Sequence, residues 1–200
     1  YLQLKFDDDE FDSQITIWDD NPSLSHSDLI LITTHFVNNA AVFLYDKFGN
    51  LKHSWNIKKS LDNNLLDNHH YLDYNYDNMI LCAVDAKMLK NGDLIVSTDL
   101  RNLSNFRGLN ISRLDKKSNV IWSTPGIFHH EFDLVDNKII YALDSSLTNE
   151  FPLINSSELS NIKFMNDNIV KINADNGEII IKLSISEAFY NSDYKYLIKN

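Results

Sequence analysis

The chain has 200 residues, 44% of them hydrophobic and 12% aromatic, with a formal net charge of −10. That is the composition of one sizeable globular domain, and the acidic balance argues against a nucleic-acid partner or an anionic membrane surface. No apolar run approaches the roughly 18 residues of a membrane-spanning helix, and the lone cysteine, Cys82, excludes an internal disulfide scaffold without fixing the compartment.

From the N-terminus, "YLQLKFDDDEFD" (1–12) is acidic and lacks the basic-then-apolar layout of a signal peptide. Its acidic run, and "WDD" at 18–20, lack the alternating Asp/Asn/Gly of a calcium loop and read as a solvated terminus. His26 and His35 have no chemical partner nearby. A hairpin follows, "AVFLYD-KFGN-LKHSW" (41–55), in which His53 and Trp55 share a face and read as packing. Next comes a polar, Asn-rich loop (56–79) holding His69 and His70, which read as solvated.

The middle of the chain alternates two hairpin types. "AKML-KNGD-LIVST" (86–98) precedes "LNISRLD-KKSN-VIWS" (109–123), and "EFDLV-DNK-IIYALD" (131–144) precedes "NIVKINA-DNGE-IIIKLS" (168–184). The hairpins at 41, 109 and 168 share one layout, with Asp46, Asp115 and Asp175 recurring 69 and 60 residues apart. Trp55 and Trp122 read as equivalent positions, with Lys182 in that place in the third unit. Turn glycines and asparagines supply the positive φ of tight hairpins. A long loop is expected at 145–166, and Ser184 with Glu187 predicts a helix start.

Two hairpins give four antiparallel strands, repeated about every 60 residues. This predicts an all-β protein built of β-propeller blades. About two and a half blades are present, so a partial propeller is expected; a β-sandwich is the alternative. The expected organisation is an N-terminal segment with the first strands (1–40), blades (41–190) and a C-terminal end (191–200), beyond which the chain is expected to continue.

The same stretches resemble bacterial arylsulfotransferase-type propellers. "YDKFGNLKHSW" is similar to their D-x-x-G-x-h-x-x-x-W element and "DAKMLKNGDLIVS" to their LPNGDIL hairpin. "HHEFDLVDNKIIYAL" resembles their HHD hairpin, and "NIVKINADNGEIIIKLSISEAF" their I-x-x-I-d-x-x-T-G-E-I element, in the right order over 41–190. The resemblance implies transfer of a sulfuryl group from a phenolic sulfate ester to a phenol through a histidine intermediate. It implies small-molecule phenolic partners, no cofactor or metal, and a periplasmic or extracellular location. His129 and His130 match the family's histidine pair, with Glu131 where the family has Asp. The nucleophilic histidine and an arginine would lie after Asn200. "INADNGEI" resembles the quinoprotein repeat as well, which implies the alternative of a non-catalytic binding or assembly scaffold.

His129 and His130 are therefore the candidate catalytic residues. Imidazole serves as nucleophile or base at neutral pH, and its cation stabilises developing charge on sulfuryl oxygens. At the start of a strand the two rings are expected on opposite faces, so only one would face a channel, and His130 is preferred slightly because it adjoins Glu131. As a metal site the pair is poor. Arg101 and Arg107 flank the loop "RNLSNFRG" and are the candidate substrate-binding residues, since a guanidinium grips an oxyanion bidentately. Arg113 lies inside a strand.

Overall fold

The computed structural model describes residues 3–5, 14–16, 29–34, 41–57, 80–101, 106–148 and 164–198. Strands β1 (Gln3–Lys5) and β2 (Gln14–Thr16) form a two-stranded ribbon. The first sheet has β3 (Leu29–Thr33), β4 (Ala41–Asp46) and β5 (Leu51–Asn56) in that order. The second orders β6 (Ile80–Met88), β7 (Leu94–Arg101), β8 (Phe106–Leu114) and β9 (Val120–Pro125). The third orders β10 (Ile127–Val135), β11 (Ile139–Thr148), β12 (Phe164–Asn173) and β13 (Ile179–Ser184). Every pairing is antiparallel between sequence neighbours. The expected all-β class holds: the described residues are mostly strand, with a short helix, α1 (Ile185–Tyr190), whose Ser184 cap accepts from Glu187 N as its sequence predicts, and a 3-10 turn at Lys195–Ile198. The described sheets do not close into a ring. His26, His35, the pair His69 and His70, and the acidic runs at 6–12 and 18–20 lie outside the described residues.

Burial follows from stacking. The second sheet is covered on both faces, which is why "LIVSTDL" (94–100) is buried at every position instead of alternating. On one face Leu94, Val96 and Leu114 pack against Val42, Leu44, Trp55 and Ile57 of the first sheet. On the other, Ile95, Ile111 and Trp122 pack against Phe128, Phe132, Ile140 and Ile172 of the third. Among the described residues the third sheet is covered on one face only. Ile140 and Ala142 are buried, Tyr141 and Leu143 are exposed, and none of β13 is buried.

The turns set the true register of the repeat. Asp46 Oδ1 accepts from Phe48 N and Asn50 N, and Asp115 Oδ1 accepts from Lys117 N and Asn119 N. In the third sheet it is Asn173, not Asp175, whose side chain accepts from the backbone two residues on, because that turn is one residue longer. The positive φ that closes each turn falls on Gly49, Ser118 and Gly177. In this register Trp122 is equivalent to His53, 69 residues before it, which corrects the pairing with Trp55.

The equivalence is physical. His53 Nε2 donates to the Lys116 carbonyl (2.8 Å) and Trp122 Nε1 donates to the Ala174 carbonyl (3.1 Å). In each case a ring on the outermost strand of one sheet holds the turn of the next. Such a bond contributes about 1 kcal/mol, whereas burying a large side chain contributes roughly 1.5–3 kcal/mol. Packing therefore supplies the adhesion and the ring nitrogen sets the register. Arg113 belongs to the same joint: its guanidinium binds Asp93 (2.7 Å) and donates to the Ala174 carbonyl (3.0 Å).

Candidate functional site

The histidine pair does not sit in regular strand. Phe128 and Phe132 are both buried against the second sheet, yet they oppose Asp144 and Ala142, only two residues apart. His129, His130 and Glu131 must therefore share the space opposite Leu143 as a β-bulge, and strict alternation fails. Both histidines are exposed. The bulge is tied across sheets, because Asp85 Oδ2 accepts from the Phe132 amide (3.3 Å). Strand β6 bulges at the corresponding place, between Ala83 and Asp85.

The two rings differ in their contacts. His129 Nε2 lies 2.9 Å from Ser145 Oγ and 3.2 Å from Asp167 Oδ1, and Ser145 Oγ donates to the same carboxylate oxygen at 2.6 Å. His130 makes no hydrogen bond among the described residues. Ser145 and Asp167 are direct cross-strand partners in β11 and β12. The loop expected at 145–166 therefore starts later than expected, since β11 runs to Thr148. Sequence reasoning missed both residues because it ended the strand at Asp144. The cross-strand register is the signal that locates them.

The electrostatics fix the protonation pattern. The Ser145 hydroxyl holds the Asp167 carboxyl below its ordinary value of 3.8, and the His129 ring adds to this against the opposing effect of partial burial. The carboxylate is thus ionised at neutral pH and only accepts hydrogen bonds. A neutral His129 must carry its proton on Nε2, which leaves the Nδ1 lone pair without a partner among the described residues. This is not a serine triad: Ser145 gives its proton to the carboxylate and faces the same ring nitrogen as Asp167 does. The competent atom is His129 Nδ1, as base or nucleophile.

Arg101 ends β7 and Arg107 lies near the start of β8, paired to Leu100. They are brought to the same end of the stack as His129. Gly108, next to Arg107, abuts the backbone of Phe128, next to His129, so closely that a Cβ there would collide with the Phe128 carbonyl. Only the backbone of the two arginines is described. Among the described residues no group of three His, Cys, Asp or Glu side chains is placed to hold a metal ion, and no helix is long and apolar enough to cross a membrane.

Beside the bulge lies a cavity of about 440 Å³, lined by Asp85, Lys87, Glu131, Phe132, Asp133, Tyr141 and Leu143 among others. No protein-family profile, curated protein or solved structure matches the chain.

Proposed function

We propose that the three stacked sheets are consecutive blades of a β-propeller of arylsulfotransferase type, and that the protein takes part in sulfuryl transfer from a phenolic sulfate ester to a phenol. The observation that carries this is the His129 ring, oriented through Nε2 by Asp167 and Ser145 with Nδ1 left open. In this reading Nδ1 takes the proton of the acceptor phenol as the phenol oxygen bonds to sulfur and the sulfur–nitrogen bond of a sulfated histidine breaks, releasing that imidazole. Asp167 then stabilises the imidazolium. The sulfuryl group arrives from a sulfated histidine, which this reading does not assign to His129. Arg107 and Arg101, at the same end, are proposed to hold the sulfate oxygens. The resembled family is exported, so the reading implies a periplasmic or extracellular protein.

The test is turnover of 4-nitrophenyl sulfate with phenol as acceptor. Removing a general base costs roughly 10²–10⁴-fold, so His129→Ala should lose at least a hundredfold of kcat while His130→Ala retains most of it. No turnover by the full-length protein, or equal losses in the two variants, overturns the assignment.

A second reading, a non-catalytic propeller scaffold of quinoprotein type, is favoured by a separate observation. Ring nitrogens of His53 and Trp122 clasp the turn carbonyls of the following sheet, a stacking device that needs no catalytic group. Absence of turnover together with intact stacking would select it.

A further inference from the structure

We infer that the cavity beside the bulge is a binding site for an organic ammonium ion with an apolar or aromatic body. This does not rest on the sulfuryl-transfer reading, because it is argued from the cavity's own walls. The volume of about 440 Å³ suits a single-ring ligand. Its floor is apolar: Leu143 and Ile169 are direct cross-strand partners, and Tyr141 stands one row away, opposite Asp133. These side chains are partly exposed, so a ligand covering them removes apolar surface from water.

The charge around this floor is lopsided. Among the described residues Lys87 is the only cation in the lining, and it is already committed, with Nζ 3.2 Å from Asp85 and over the Phe132 ring. Lys171 stands at the rim, with its ammonium 6.0 Å from the centre of the Tyr141 ring. Glu131 and Asp133 have no ion pair among the described residues. Three carboxylates against one internal and one rim cation leave a negative field over an apolar floor. A ligand ammonium beside Glu131 and Asp133 would gain the attraction of two carboxylates that have no ion pair among the described residues. An aryl carboxylate or sulfate ester of the same size would be repelled.

The experiment is isothermal titration of the protein at low ionic strength with phenethylammonium and, separately, phenylacetate. Saturable binding of phenethylammonium is expected, weakened by added salt, with no saturation by phenylacetate. The double variant Glu131→Gln/Asp133→Asn should weaken phenethylammonium binding about tenfold. Both positions are exposed, so the core is untouched, and circular dichroism should be unchanged. No saturable binding of phenethylammonium, equal binding of the two probes, or unaltered affinity in a folded double variant each overturns the inference. All these readings are made without turnover, so their failure leaves the role of His129 to its own test.

Discussion

Two histidines adjacent in sequence have different chemistry because one lies across from Ser145 and Asp167 and the other does not. The distinction turns on a single carboxylate, Asp167, whose ionised form is held mainly by the Ser145 hydroxyl and then by His129. Because this carboxyl titrates below 3.8 when folded, its stabilising contribution is complete above that value and is lost as pH falls through the lowered one. Ser145→Ala should therefore raise the Asp167 value toward 3.8 and make the loss of stability on acidification smaller, because the folded and unfolded values draw together. Carbon-detected NMR titration of the carboxyl reads the first effect and acid unfolding the second; an unmoved Asp167 titration would show that Ser145 does not hold it. The residue types at 129 and 130 were legible in the sequence as an excess over the repeat. Which ring is oriented was not, because that depends on a partner 38 residues further on and on a bulge that defeats alternation.

At the level of strands and turns, most of the pattern was legible. Hairpin pairs, the Asp-capped turns at Asp46 and Asp115 and the Ser184 helix cap are local features, and local hydrogen bonds produce them. The third turn misled because one extra residue moves the capping role from Asp175 to Asn173, and matching by residue type paired Trp122 with Trp55 instead of His53. The joint between sheets makes the sharper prediction. Gly108 lies against the Phe128 backbone, which cannot move aside as a flexible side chain does, so Gly108→Ala should cost about 3 kcal/mol or more. Trp122→Phe, which keeps a large apolar ring but drops the bond to Ala174, should cost only about 1 kcal/mol. Urea unfolding of the two variants checks the order; a neutral Gly108→Ala would mean that the second and third sheets are not in contact there.

Across the whole molecule, one principle relates fold to site: each sheet is aligned by its predecessor, and the last interface delivers the bulge. Asp85 of the second sheet binds the Phe132 amide at the end of the bulge, and Phe128 and Phe132 anchor both its ends in the shared core. His129 is thereby presented to Asp167 on the uncovered face of the third sheet. That arrangement was not legible from composition or periodicity, which predict sheets but not their mutual register. Stacking thus fixes His129 with Nε2 protonated toward Asp167 and Nδ1 open. Nitrogen-15 NMR of the His129 ring tests it most directly. The neutral ring should show a protonated Nε2 and a bare Nδ1, with this preference lost in Asp167→Asn. A neutral ring protonated on Nδ1, or a tautomer indifferent to Asp167→Asn, would contradict it.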